Sequence, residues 1–175
     1  MSEKKIATEQ IYDGVVVKLR KDKVLTERGV ETYREIISHS GGACVLAVKD
    51  GKVLLEKQFR YAYGKDIYEI PAGKRDKGED FSVTAKRELE EETGLIPLNL
   101  RKITEIYPTP GYTDEVIGIF FADKFEEGKL DFDDTEDLTS EWVDIGEVYK
   151  MMEKGEIVDA KTLIALLWYK SGMKI

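Results

Sequence analysis

A cluster of glutamates at the end of one predicted helix is the feature that most constrains this chain. Residues 81–93 are rich in helix formers, Asp80 or Ser82 can cap the N-terminus, and Gly94 stands where a helix commonly ends. The negative end of the helix dipole disfavours acids in the last turns. The sequence nevertheless places four acids there: Glu88, Glu90, Glu91 and Glu92.

Three of these glutamates share one face of the helix. On a 3.6-residue repeat Glu88, Glu91 and Glu92 lie together, whereas Glu90 points away toward water. Like charges at such spacings destabilise a helix by roughly 0.2–0.5 kcal/mol per pair. A divalent cation reverses that repulsion, and clustered carboxylate oxygens are the ligands that Mg²⁺ prefers. The face therefore predicts a magnesium site, and a solvated acidic face is the alternative.

The helix belongs to a longer pattern of 23 residues, Gly-x5-Glu-x7-Arg-Glu-aliphatic-x-Glu-Glu-x-Gly-aliphatic. Every fixed position is filled, by Gly73, Glu79, Arg87, Glu88, Leu89, Glu91, Glu92, Gly94 and Leu95. The pattern resembles the Nudix box. With this many specified positions in one unbroken stretch, it is far more specific than a short glycine motif.

Resemblance to Nudix hydrolases implies an α+β fold, in which a mixed β-sheet is sandwiched between α-helices. It implies hydrolysis of a nucleoside diphosphate linked to another group, with Mg²⁺ or its substitute Mn²⁺ as cofactor. The metal ligands would be Glu88, Glu91, Glu92 and the backbone carbonyl of Ala72. The resemblance implies catalytic roles for Glu91, Glu92 and Arg87. Arg87 would orient a carboxylate by a charge-assisted hydrogen bond. The resemblance also implies that Glu79 is the partner of Arg87.

The composition and charge of the chain limit the classes of partner that it can bind. The chain has 175 residues, enough for one domain with an appended arm, and a net charge of −8. An acidic protein does not fit a general nucleic-acid binder, which needs a basic surface. No stretch approaches the roughly eighteen apolar residues of a membrane helix, and the N-terminus has no apolar signal region. We expect a cytoplasmic protein that binds neither nucleic acid polymers nor membranes.

Periodicity predicts an N-terminal antiparallel β-arm over residues 1–40. The resemblance implies that residues 41–175 form the Nudix hydrolase domain. Within the arm we predict strands at 12–19 and 32–37. The domain follows with an Asp-Gly hairpin between 43–48 and 53–56. Further strands are predicted near residues 67–70, 101–107, 116–123 and 141–143, and helices near residues 146–154 and 160–170. In the last helix Leu163, Leu166 and Leu167 are predicted core residues.

The segments that flank the motif are similar to those of ADP-ribose pyrophosphatases. Pro110 stands sixteen residues after Gly94, at the spacing found in that subfamily, although Pro-Gly is also an ordinary turn. The resemblance implies that ADP-ribose is cut to AMP and ribose 5-phosphate. One alternative is a hydrolase of another nucleoside diphosphate sugar, such as GDP-mannose. A Nudix-like module that senses ADP-ribose without cutting it is a further alternative, against which the intact motif speaks.

The same subfamily resemblance implies the substrate contacts and the quaternary structure. Arg60 would contact the pyrophosphate, since its fork of donors suits phosphate oxygens. Arg34, with Tyr12 from a partner chain, would contact the terminal ribose or adenine, and Pro110 and Glu115 complete the predicted substrate site. Both arginines could instead be exposed strand residues. Relatives form homodimers in which the arm exchanges between subunits, so we expect a homodimer with a swapped arm.

The general base is predicted on an acidic loop, residues 131–138. Hydrolysis requires a group that takes a proton from the attacking water. Glu136 best matches the catalytic glutamate of related enzymes, with Glu115 and Asp137 as rivals, and a plain solvated loop is the alternative. The single cysteine, Cys44, lies in an apolar run and is predicted to be a buried core residue. His39 is predicted to be structural or incidental.

Overall fold

The computed structural model describes residues 2–131 and 138–173. Within these ranges the helices are α1 (Phe81–Thr93), α2 (Ile145–Glu153) and α3 (Ala160–Ser171). The strands, in chain order, are β1 (Lys4–Asp13), β2 (Lys18–Leu25), β3 (Glu31–Ser38), β4 (Gly42–Lys49), β5 (Lys52–Arg60), β6 (Lys65–Glu69), β7 (Ala72–Lys74), β8 (Leu95–Pro97), β9 (Arg101–Ile106), β10 (Ile117–Ala122), β11 (Phe125–Glu127) and β12 (Leu138–Asp144). None of the described helices is long and apolar enough to cross a membrane.

The chain up to Gly41, together with Tyr107–Val116, forms one compact unit. Its sheet has the order β1-β2-β3, and both pairings are antiparallel. β1 lies at the edge and is exposed along its whole length. At the other edge Ile37 of β3 forms an isolated parallel bridge with Thr113. The unit is therefore a small sheet with one long open edge.

The predicted strand at residues 12–19 is wrong, because a hairpin turn interrupts it. The backbone N–H of Gly14 donates to the carbonyl of Val17 over 3.0 Å, and the chain reverses there from β1 into β2. A Cβ on Gly14 would lie 2.4 Å from the ring of Tyr12, so the ring packs closely against the backbone of the turn. The valines in this turn gave the segment the composition of a strand, but reversing the chain lets β1 and β2 pair along most of their lengths.

The second compact unit comprises Gly42–Ile106 and the chain from Ile117 onward. Its main sheet has the strand order β12-β5-β4-β10-β9, with β6 paired to β5 and β7 paired to β4. β4 and β10 run parallel, whereas β4 and β5 are antiparallel, so the sheet is mixed. β8 and β11 form a separate antiparallel pair.

Both faces of the central strand β4 are buried, which explains its unbroken apolar sequence. Ala43, Val45 and Ala47 pack on one face with residues of α1, namely Ala85 and Leu89. On the other face a second cluster combines β4 with residues of α2 and α3, and its members include Cys44, Leu46, Val48, Val148, Met151, Ala165 and Leu166. The sheet thus lies between helices, and the predicted α+β fold is confirmed.

Helix α3 packs two of its three predicted leucines in the core, and the prediction is wrong for the third. Leu166 is fully buried and Leu163 packs against the core, but Leu167 is 54% exposed. Thr162 and Ala165 take the buried positions instead. Because Thr162 hydrogen-bonds a backbone group in the core, a polar residue defines part of the buried face, and apolar spacing alone could not reveal it.

Cys44 is fully buried in the apolar cluster, as predicted. Burial raises the pKa of its thiol to about 12, because the charged thiolate would lose its hydration there. The thiolate is the reactive form of cysteine. Cys44 is therefore a core residue with an unreactive thiol.

Candidate active site

Helix α1 begins and ends where the sequence predicts. The Oδ1 atom of Asp80 accepts a hydrogen bond from the backbone N–H of Ser82 over 2.8 Å and caps the first turn. Gly94 ends the helix in the left-handed conformation, with φ of 68°, and its N–H donates to the carbonyl of Glu90. The last turn contains no basic residue. The repulsion among the glutamates must therefore be offset from elsewhere.

Arg87 supplies the compensating charge. Its Nη1 donates to Oε1 of Glu88 over 2.8 Å and to Oε2 of Glu91 over 2.9 Å. Its Nε and Nη2 donate to the two carboxylate oxygens of Glu79 over 3.3 and 3.2 Å, so the predicted pair of Arg87 and Glu79 is present. One guanidinium thus holds three carboxylates around itself.

The charges of this cluster are strongly fixed. Hydrogen bonds from Arg87 lower the pKa of Glu79 to about 2, assisted by hydrogen bonds from Thr84 and the backbone of Asp76. The hydrogen bonds to Glu79 likewise hold the pKa of Arg87 above its ordinary value, with contributions from Glu88 and Glu91. Arg87 and Glu79 therefore remain ionised throughout the neutral pH range.

The segment that enters β7 lies against two of the predicted ligands. Oε2 of Glu92 accepts a hydrogen bond from the backbone N–H of Ala72 over 3.0 Å, and Glu92 is only 5% exposed. The carboxylate of Glu88 lies against Gly73, where a Cβ would come within 1.9–2.2 Å of its Cδ and oxygen atoms. Glycine is therefore required for the approach of Glu88 to the backbone.

The donor groups gathered here fit a hard divalent cation in their chemistry. Carboxylate oxygens of Glu88 and Glu92 lie against β7, the carboxylate of Glu88 occupies the space that a side chain at Gly73 would fill, and Glu91 is joined to Glu88 through Arg87. In their present positions, however, no three acidic, histidine or cysteine side chains among residues 2–131 and 138–173 are grouped as they would be around an ion. Arg87 bonds two of the acids itself, so an ion would have to replace some of its hydrogen bonds.

Glu90 differs from its prediction. It is partly buried, and its Oε1 accepts a hydrogen bond from the backbone N–H of Lys129 over 3.3 Å. It lines a cleft of about 670 Å³ beside α1, and the cleft is also bordered by Arg87 and Glu91. A cleft of that size falls in the range that holds small ligands.

A second set of charges lies in the same unit, around two buried glutamates. Arg60 forms a two-pronged ion pair with Glu69, from Nε to Oε1 over 2.6 Å and from Nη2 to Oε2 over 2.7 Å. Glu69 and Glu56 are each only 4% exposed. Burial raises the pKa of Glu56 to about 7, although a hydrogen bond from Ser140 opposes the shift.

Sequence reasoning missed Glu56, Glu69 and the buried Lys161. A signal for the acids was present, because each interrupts or ends a short apolar strand at a position where neighbouring residues are buried. Charged residues are almost never fully buried unless they are paired. Charged residues in buried strands are therefore the pattern that could have pointed to this cluster.

Four predicted substrate residues belong to the first unit. Arg34 donates to both carboxylate oxygens of Glu3, over 3.1 and 2.5 Å, and Tyr12 is 58% exposed. Oε1 of Glu115 lies 3.3 Å from Nδ1 of His39, the atom that also accepts from the backbone N–H of Gly41.

Pro110 lies in a turn of that unit, where two N–H groups, those of Tyr112 and Thr113, donate to the carbonyl of Thr109. Glu136 and Asp137, the predicted base and one of its rivals, lie outside the described residues.

Residues 38–166 match the NUDIX domain family. The chain is 43% identical to the ADP-ribose pyrophosphatase of Bacillus subtilis (strain 168) over 169 residues, which cover 95% of this chain and 91% of the relative. It is 40% identical to the methanol dehydrogenase activator of Bacillus methanolicus over 94% of this chain and 90% of the relative.

A crystal structure described as an ADP compounds hydrolase has the same fold. Its TM-score is 0.86 at 17% sequence identity, and the match covers 100% of this chain and 98% of the other. The fold is therefore shared in full, while similarity of sequence at this level carries no argument about the substrate.

Proposed function

Because this chain belongs to the Nudix family of hydrolases, we propose that it cuts the pyrophosphate bond of ADP-ribose to give AMP and ribose 5-phosphate. The observation that carries this proposal is the acidic face of α1, where Glu88 and Glu92 lie against Ala72 and Gly73. The choice of ADP-ribose is supported by 43% identity to an enzyme of that name over 95% of the chain.

Enzymes of this family generally use divalent metal ions. We propose Mg²⁺ as the ion, with Mn²⁺ as a substitute, held by Glu88, Glu91, Glu92 and the carbonyl of Ala72. When bound, such ions neutralise charge on the pyrophosphate and make both the phosphorus and the attacking water more reactive. The protein's part is to present these oxygens in order, and Arg87 with Glu79 would hold the carboxylates in position.

The chain's remaining roles follow the predicted assignments. Arg60 would donate to the pyrophosphate oxygens, and Glu136 would take the proton of the attacking water. Arg34, Tyr12, Pro110 and Glu115 would bind the sugar and adenosine portions. The proposal includes a homodimer in which the arm of residues 1–40 is exchanged, and a cytoplasmic location.

The substrate is tested with a panel of nucleoside diphosphate sugars that includes ADP-ribose and GDP-mannose, with Mg²⁺ present and the products identified by chromatography. We expect ADP-ribose to have the highest kcat/KM and to yield AMP and ribose 5-phosphate in equal amounts. Faster cleavage of another nucleotide sugar would identify that compound, and not ADP-ribose, as the substrate. No cleavage of any member would contradict the proposed reaction.

The metal face is tested by Glu92→Gln, which keeps the shape of the side chain and removes its charge. We expect kcat to fall at least about a hundredfold, because transition-state charge is balanced by the metal. Glu147→Gln is the control, since Glu147 is an exposed acid of helix α2 that pairs with Lys150. Near-normal turnover of the Glu92 variant would exclude it as a ligand.

A further inference from the structure

The carboxylate of Glu69 is held by two cations from different parts of the fold. Arg60, at the end of β5, binds both of its oxygens. Lys161, in the first turn of α3, donates from Nζ to Oε2 of the same carboxylate. Lys161 is only 9% exposed, so this contact is shielded from water. Charge pairs in such surroundings are screened far less than surface pairs.

Lys161 is itself fixed by the start of its helix. Its Nζ lies 3.1 Å from Oδ2 of Asp159, and the same oxygen caps α3 by accepting from the backbone N–H and the hydroxyl of Thr162. A lysine side chain normally has a large rotamer freedom to lose. Here the ammonium of Lys161 contacts both Asp159 and Glu69, so it is confined to one position.

The first turn of α3 forms hydrogen bonds with two successive residues, Glu69 and Ile70. Lys161 bonds the side chain of Glu69, and Oγ1 of Thr162 accepts from the backbone N–H of Ile70 over 2.9 Å. This segment leads directly into Ala72, whose N–H bonds Glu92. The position of Glu69 is thereby set from its side chain and from its backbone.

Arg60 is oriented by this carboxylate. The bonds to Glu69 use Nε and Nη2, one edge of the planar guanidinium. Among the contacts described for the chain, none occupies Nη1, and the side chain of Arg60 is 40% exposed. A two-pronged pair fixes the plane of an arginine as well as its location. The free edge is therefore presented in one direction.

We propose that Lys161 is a positioning residue for the hydrolysis, which acts by holding Glu69 so that the free edge of Arg60 faces the substrate pyrophosphate. The proposal rests on the proposed function, in which Arg60 binds the pyrophosphate. Lys161 does not touch the substrate in this account. It determines the orientation of Arg60, which lies 101 residues earlier in the chain.

The first measurement compares Lys161→Met with Lys170→Met, at the best substrate of the panel. Methionine keeps the length of the buried stem and removes the charge, and Lys170 lies on the same helix with 48% of its side chain exposed. We expect Lys161→Met to raise KM about tenfold with kcat within about threefold, because pyrophosphate binding is lost in the ground state as well. Lys170→Met should leave both constants unchanged.

A double-mutant cycle separates positioning from a general loss of stability. Arg60→Ala should also raise KM, and adding Lys161→Met to it should change kcat/KM by less than about twofold, since the residue through which Lys161 acts is gone. A lysine that merely supports the fold would lower activity equally in both backgrounds. Independent, multiplying effects would overturn the proposal, as would an unchanged KM in folded Lys161→Met.

If Lys161→Met shows no cooperative melting transition, Glu69→Gln replaces it in the same cycle. Glutamine keeps the shape of the carboxylate and weakens both ion pairs, so KM should rise and the effect should vanish with Arg60→Ala. A normal KM for Glu69→Gln would overturn the proposal. If Arg60→Ala itself leaves KM unchanged, the failure lies in the proposed contact of Arg60 with the substrate, and the positioning role falls with it.

Discussion

Gly73 and Glu88 cannot both keep their places if a methyl group is added to the glycine. A Cβ there would lie 1.9 Å from Cδ of Glu88, and Gly73 does not have a positive φ. The clash is therefore with the far end of a flexible side chain and not with the backbone. We expect Gly73→Ala to lower metal-dependent kcat/KM at least about tenfold while the free energy of unfolding changes by less than about 1 kcal/mol.

Steady-state kinetics and urea unfolding of the same preparation measure the two effects. Lys77→Ala is a suitable control, because Lys77 is an exposed residue in the loop between Gly73 and α1. Normal kinetics of Gly73→Ala would show that the carboxylate of Glu88 can move aside without cost.

Glu56 predicts a distinct dependence of stability on pH. Burial raises its pKa from 4.5 to about 7 in the folded chain. Between those values the unfolded chain releases the proton while the folded chain retains it, so stability falls as pH rises and the loss is complete above pH 7. In metal-free buffer at pH 8 we expect Glu56→Gln to stabilise the protein by roughly 1–3 kcal/mol, with little effect at pH 4.

Thermal unfolding followed by circular dichroism at both pH values gives this difference. Glu141→Gln serves as the control, because Glu141 is exposed on the neighbouring strand β12. Equal effects of Glu56→Gln at pH 4 and pH 8 would contradict the shifted pKa.

At the scale of single residues, the sequence predicted contacts that are close along the chain. Arg87 was paired with Glu79 because both occupy fixed positions of one motif, eight residues apart. Lys161 and Glu69 are separated by 92 residues, and neither belongs to a motif that names the other. Their contact depends on where α3 packs against the sheet, which local patterns do not contain.

Gly94 determines where α1 stops, and so where its acidic face ends. Its φ of 68° is in the left-handed region, where a side chain costs about 1–2 kcal/mol. We expect Gly94→Ala to lower the free energy of unfolding by about that amount, measured by urea denaturation. Gly111→Ala is the control, because Gly111 lacks a positive φ and a Cβ there would meet open space. Equal losses in both variants would exclude the conformation of Gly94 as the cause.

Among the elements, α1 was predicted to the residue and the strand at 12–19 was not. The helix carries its own boundary signals, Asp80 as a cap and Gly94 as a stop. The short strands β7, β8 and β11 have three residues each and were missed, since they owe their conformation to their partners. For so short a segment, pairing with a neighbouring strand outweighs intrinsic preference.

For the molecule as a whole, the open edge of β1 favours the proposed homodimer. A long exposed edge strand invites pairing with another chain, and Ile6 and Ile11 of this strand are 47% and 50% exposed. We expect sedimentation equilibrium to give twice the chain mass of 19.9 kDa. The double variant Ile6→Lys, Ile11→Lys should shift the protein toward the monomer.

Val30→Lys is the matched control for that experiment, since Val30 is 57% exposed in the turn before β3 and outside the edge strand. A wild-type chain that sediments as a monomer would exclude the dimer. A dimer that resists the double substitution would exclude β1 as its contact.

The guanidinium of Arg87 gives the acidic face a counter-charge that is built into the chain. In small metal-dependent domains such as zinc fingers, the ion must arrive before the protein can fold. Here the hydrogen bonds from Arg87 already offset the repulsion between Glu88 and Glu91, which an ion would otherwise have to offset. Folding would then not require a divalent ion, and losing the ion would stop catalysis without unfolding the protein, so that activity could follow the supply of the ion reversibly.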